Sequence, residues 1–133
     1  VKYLIMLYGS QQDYDTLAGR PGDRPPMSPE QIAAMHAHMV SIHKELAESG
    51  ELVDAQGLTA PVHARRVRLR GGAPVVTDGP YAETQEVLAG YTLVECASFD
   101  RATEIAARFV NPDGEGEYVD VRPIVDGFEE LQG

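Results

Sequence analysis

The sequence predicts an α+β domain with an antiparallel sheet and two helices packed on one of its faces. Three observations predict it. Strand-forming runs such as "KYLIMLY" (2–8), "VLAGYTLVECA" (87–97) and "YVDVRPIV" (118–125) are interspersed with two segments at helical spacing. The elements follow the order strand, helix, strand pair, strand, helix, strand, with room for an extra hairpin, which is a ferredoxin-like order. The first strand is apolar on both alternating sets, so both of its faces need cover, whereas two helices cover only one.

In the first strand, Tyr3, Ile5 and Leu7 form one apolar set and Leu4 and Met6 the other. Residues 9–27, "GSQQDYDTLAGRPGDRPPM", carry Gly, Asp and Pro without periodicity. A loop that long predicts a lid, a binding loop or a disordered segment. A helix then starts with Ser28 as N-cap, Pro29 at the first helical position and Gln31 closing a capping box. Met27 and Ile32 are placed for a hydrophobic staple. Ile32, Met35, Met39, Ile42 and Leu46 make the predicted buried stripe, and Gly50 stops the helix.

"ELVDAQGL" (51–58) and "HARRVRLR" (63–70) read as strands, with "APVVTD" (73–78) continuing across the Gly71-Gly72 turn. After the strand at 87–97, a second helix starts near Ser98 to Asp100 and carries Ala102, Ile105, Ala106 and Phe109 at helical spacing. "NPDGEGE" (111–117) breaks it, and the last strand ends at Pro123 or shortly after. The acidic "DGFEELQG" (126–133) predicts a frayed tail or a small dimer clasp. The uncovered sheet face predicts a homodimer packed sheet to sheet.

At 133 residues and 43% hydrophobic, the chain reads as a single domain over 1–133. A net charge of −10 argues against a nucleic-acid groove or an anionic membrane surface, both of which require a concentrated basic patch. Only "ARRVRLR" (64–70) comes close, and its arginines alternate with Val67 and Leu69 as on a solvated strand face. Cys96, the single cysteine, lies in an apolar run and reads as a small buried residue, so no disulfide framework is expected. The opening apolar run is too short for a signal peptide, and no run approaches bilayer length. The expectation is a soluble cytoplasmic protein.

Three histidines fall on the first helix. His36 and His43 lie on one flank of its stripe and His38 on the other, so they do not converge on one ion and no metal site is expected. Their bland role is at the stripe edge; their functional role is to meet a carboxylate as an acid/base pair. In "TDGPYAETQE" (77–86), Asp78 lacks its commonest local partner, because the residue two positions on is Pro80, which has no N–H. Asp78 either caps toward Tyr81 or points into a pocket. Gly79 before Pro80 makes a fixed corner, Tyr81 supplies an aromatic wall, and Glu83 and Glu86 read as a solvated acidic face or as binding groups.

"VTDGPYAETQE", "LAGYTLVE", "VDVRPI", "KYLIMLYG" and "ELAESGELVDAQGL" together resemble the DGPF-domain branch of the YCII-related proteins over nearly the whole chain. Tyr81 stands where Phe is usual there, and Gln85 where Lys is usual. The resemblance implies a ferredoxin-like fold of the dimeric α+β barrel type. It also implies a cleft in which a helix histidine meets an aspartate. On this chain the matches are His36, then His38, with Asp78 or Asp54 as partner. One reading is a cofactor-independent acid/base enzyme acting on a small molecule, with Tyr81, Glu83 and the 9–27 segment around the substrate. The other is a non-catalytic ligand-binding or regulatory module, linked through the resemblance to sigma-factor-dependent transcription.

Overall fold

The computed structural model describes residues 1–111, 114 and 116–133. The described elements are β1 (Lys2–Gly9), α1 (Gln11–Leu17), α2 (Pro29–Ser49), β2 (Leu52–Gly57), β3 (Arg65–Arg70), β4 (Ala73–Asp78), β5 (Val87–Glu95), α3 (Phe99–Ala107) and β6 (Asp120–Pro123). Four strands form one sheet in the order β2-β5-β1-β6, while β3 and β4 form a separate ribbon. Every pairing is antiparallel. Strand β5 lies between β1 and β2, which α2 connects; β1 lies between β5 and β6, which α3 connects. The chain therefore interleaves two split β-α-β units. The sheet is open and does not close into a barrel.

Period-two alternation in β1 sorts its side chains as expected. Tyr3 and Ile5 are buried with Val94 of β5, Ile42 and Leu46 of α2, and Ala102, Ile105 and Ala106 of α3, and Leu7 packs at the margin. Leu4 and Met6 face the other way and are half-buried. Helix α2 starts where its caps place it: Ser28 accepts from the Gln31 N–H, and Gln31 accepts from the Ser28 N–H at 2.8 Å. Gly50 closes it in the left-handed region at φ +81°. Ser98 caps α3 by accepting from the Arg101 N–H. Pro123 is tolerated because β6 is an edge strand.

Four expectations change. The predicted stripe on α2 is buried only at Ile42 and Leu46; Ile32 and Met39 are half-buried, and Met35 is 43% exposed. Twenty-one residues make a helix of ~31 Å, longer than the ~26 Å of eight-residue β1, so its first turns overhang the sheet. Residues 9–27 are not all loop: α1 makes a third helix, capped by Ser10, which accepts from the Asp13 N–H while Asp13 accepts from the Ser10 N–H at 2.8 Å. "APVVTD" is a full strand that returns along β3 through Gly71 and Gly72, both at positive φ, as a two-residue hairpin turn requires. The acidic tail forms a short 3-10 turn, Phe128–Gln132. Residues 112, 113 and 115 of the "NPDGEGE" break lie outside the described residues.

Candidate functional site

The "DGPY" corner is fixed from its backbone outward. Gly79 takes φ +51°, and a Cβ there would lie 3.3 Å from the Val62 carbonyl, so both conformation and space select glycine. Its N–H donates to the Ala64 carbonyl at 2.8 Å, closing the base of the β3–β4 ribbon. Tyr81 follows, half-buried, with the Arg66 guanidinium 5.3 Å from its ring centroid. The Gln85 N–H turns back to the Ala82 carbonyl at 3.0 Å, and the Glu83 carbonyl accepts from the Gln12 N–H at 3.2 Å.

That last bond brings α1 to the corner. Gln11 adds to it by accepting from the Val62 N–H at 2.9 Å. Tyr14 donates to the Leu58 carbonyl at 2.8 Å and is 3.3 Å from the Ala89 carbonyl. Burial pushes the Tyr14 phenol pKa up. Its ring lies where a Cβ on Gly9 would stand 3.4 Å from it, so the glycine after β1 makes room for the aromatic. Gly90 serves a similar purpose between β5 and β2, where a Cβ would come within 2.9 Å of the Gln56 carbonyl.

Between α1, residues 20–24 and Glu83 lies an open cleft of about 150 Å³ whose wall also includes Gln12, Asp15, Thr16, Arg20 and Arg24; Asp78 and Tyr81 do not line it. Asp15 pairs with Arg20 at 3.1 Å and Asp13 with Arg24 at 2.8 Å. Burial raises the Asp13 carboxyl, but the Ser10 N–H, Arg24 and the Ser10 hydroxyl outweigh it and hold the group below its ordinary value. Arg24 spends one N–H on Asp13, and the rest of its planar fork is left for another acceptor. Exposed Glu83 adds an opposite charge at the same opening.

A second concentration of polar groups lies on the open sheet face. The register places Leu4 opposite Leu93 and Met6 opposite Tyr91, with Asp54 opposite Leu93 and Asp120 opposite Met6. Tyr91 donates to Asp54 at 2.9 Å and Tyr8 to Asp120 at 2.7 Å. Tyr118 donates to Glu86 at 3.1 Å and packs its ring 5.6 Å from that of Tyr8. Each of these carboxylate hydrogen bonds raises the pKa of its phenol.

The expected histidine–aspartate pair is not assembled within one chain. The Asp54 carboxylate accepts from Tyr91, from the Ala55 N–H at 2.9 Å and from Gln56 at 3.2 Å. Asp78 accepts from Arg65 across the ribbon at 3.0 Å, and its side chain is 78% exposed. It is therefore neither unsatisfied nor aimed into a pocket. His38 donates to the Arg108 carbonyl at 2.8 Å, and His43 pairs with the buried Thr92 hydroxyl at 3.0 Å beside the Phe109 ring. His36 is exposed on the overhanging part of α2, and among the described residues it has no hydrogen bond or ion pair. The separation follows from the overhang and from Asp78 ending a strand of the ribbon rather than of the main sheet.

Sequence reasoning missed Gln12, Tyr14, Arg24 and Tyr91. The Ser10-x-x-Asp13 spacing could have revealed α1, and Gly9 next to an aromatic-bearing helix could have suggested Tyr14. Among the described residues, no group of three His, Cys, Asp or Glu side chains is placed to hold a metal ion, and no helix is long and apolar enough to cross a membrane. The model of the YCII-related domain family matches residues 1–126. An uncharacterised protein of Rhizobium meliloti (strain 1021) is 31% identical over 97 residues, which cover 73% of this chain and 78% of that protein.

Proposed function

Since this chain belongs to the YCII-related family, we propose that it is a small homodimeric protein of the DGPF-domain branch that binds a small polar molecule in the cleft between α1, residues 20–24 and Glu83. One observation carries the reading: the Gln12 N–H to Glu83 carbonyl bond joins the 9–27 segment to the signature segment. A purely supportive corner would need no such second wall. With Arg24 and the exposed Glu83 both lining it, the cleft suits a molecule carrying both an anionic group and a donor or cationic group. A volume of about 150 Å³, comparable to a cavity that takes one benzene ring, suits a molecule of amino-acid size. Binding needs no cofactor.

The finer fold reading is a ferredoxin-like domain of the dimeric α+β barrel type. The interleaved split units support the first half of that reading, and the apolar centre of Leu4, Met6 and Leu93 on the open face supports the second. Cytoplasmic residence belongs to the same proposal, supported by the lone Cys96.

The test is an NMR screen of amino acids, dicarboxylates and diamines. Saturable amide shifts at Thr16, Gly22 and Glu83, weakened about tenfold or more by Arg24→Ala or Glu83→Gln, are expected. No saturable shift at these amides with any of the three classes would refute the cleft.

An acid/base enzyme is the second reading, favoured by the Asp54–Tyr91 pair. A carboxylate and a phenol in contact beside an apolar floor are a base and an acid at one place. The histidine, His36 or His38, would come from the second copy, with Asp54 or Asp78 as its partner. Titrating the four histidine rings in the parent, Asp54→Asn and Asp78→Asn decides it. One ring titrating far from about 6.5 and returning toward it in either variant supports the dyad; four ordinary titrations remove it.

A further inference from the structure

The cleft beside Glu83 carries an imbalance of charge. Its wall holds three carboxylates, Asp15, Asp23 and Glu83, against two guanidiniums, Arg20 and Arg24. Both guanidiniums are engaged, Arg20 with Asp15 at 3.1 Å and Arg24 with Asp13 at 2.8 Å. A backbone bond holds the first pair in shape, since the Arg20 N–H donates to the Asp15 carbonyl at 2.9 Å. The carboxylates of Asp23 and Glu83 are both exposed, and neither has a hydrogen bond or ion pair among the described residues. Internal pairing within the described wall therefore leaves two acids over and no arginine.

That remainder discriminates among ligands of similar size. A dicarboxylate would bring its second anion among unpaired acids, where like charges repel. An uncharged side chain would leave one of the two acids without a partner. A plain diamine would satisfy both acids but would leave idle the N–H groups of Arg24 that Asp13 does not use. We propose that the cleft takes a basic amino acid, a molecule with two ammonium groups and one carboxylate, the carboxylate on the open part of Arg24 and the ammonium groups on Asp23 and Glu83.

The order of the wall residues matches the order of charges in such a ligand. Asp23 and Arg24 are neighbours in the chain and both line the cleft, as the ammonium and carboxylate on an α-carbon are neighbours. Glu83 comes from a different segment, joined to α1 by the Gln12 N–H to Glu83 carbonyl bond, and is left for the ammonium at the far end of the side chain. A net charge of −10 adds a field that draws cations toward the opening. The inference rests on the cleft reading and adds the class of ligand to it.

Four probes of matched chain length test it on the whole protein by NMR titration: L-lysine, L-norleucine, L-2-aminoadipate and cadaverine. Norleucine lacks the side-chain ammonium, aminoadipate replaces it with a carboxylate, and cadaverine lacks the α-carboxylate. Lysine is expected to saturate the amides of Thr16, Gly22 and Glu83 at concentrations about tenfold or more below each of the others, with a lead over norleucine that shrinks in salt. Glu83→Gln should erase most of that lead. Arg24→Ala should weaken lysine but leave cadaverine unchanged or tighter, because it frees Asp13; equal loss of both would overturn the carboxylate contact. Norleucine or aminoadipate binding as tightly as lysine in the parent protein would overturn the ligand class and leave the cleft standing. Silence from all four probes, with saturable shifts from another member of the wider screen, would do the same. Silence from the whole screen removes the cleft and this inference with it.

Discussion

Replacing Glu51 by Gln removes one charge from the clamp that ties the end of α2 and the start of β2 to α3. Arg101 grips that carboxylate with two N–H groups, each at 2.9 Å, and Ser49 donates to it at 2.8 Å. The Arg101 hydrogen bonds draw the Glu51 pKa from 4.5 down to about 2 against a smaller desolvation penalty. Unscreened, that drop corresponds to roughly 3 kcal/mol. Arg101 is 42% exposed, however, and Glu51 17%, so solvent screening reduces the expected loss at pH 7 to ~1–2 kcal/mol, a fall in Tm of about 3–8 °C for a domain of this size. A folded pKa below the unfolded one means that the contribution is complete above about 4.5 and vanishes as pH falls toward about 2. Urea unfolding of parent and variant at several pH values between 7 and 2.5 measures the difference directly. The gap should narrow through that acid window and should also shrink in 1 M salt. A gap that is constant with pH would refute the charge argument and leave only a packing role for Glu51.

Gly90→Ala places a Cβ 2.9 Å from the Gln56 carbonyl between two paired strands; the backbone must shift, and thermal unfolding should show a loss of ~1–3 kcal/mol. Tyr14→Phe deletes the hydroxyl that holds α1 to the Leu58 carbonyl, a net bond of ~1 kcal/mol. Amide exchange should accelerate about fivefold in α1 and little in α2, and ligand binding at the cleft should weaken with it. Equal acceleration in both helices would place Tyr14 in the global core instead.

Much of this molecule follows from local chemistry. Ser28, Pro29 and Gln31 start α2 and Gly50 stops it, because capping groups and backbone freedom act within one turn. Alternation in "KYLIMLY" assigns Tyr3 and Ile5 to one face and Leu4 and Met6 to the other, since strand geometry has a period of two wherever the strand is placed. The fixed corner at Gly79 was legible for the same reason. What the sequence left open depends on distances between segments. The carboxylate of Asp78 had no local donor, but it gained Arg65 from the neighbouring strand of the ribbon. Asp54 took Tyr91, thirty-seven residues away, in preference to a histidine. The α2 stripe had the right spacing along its whole length, yet only the sheet beneath it determined where burial ends. Caps, alternation and turns are fixed by neighbours in the chain; the partner of a side chain and the walls of the cleft are fixed by strand register and helix length, which only the folded sheet sets.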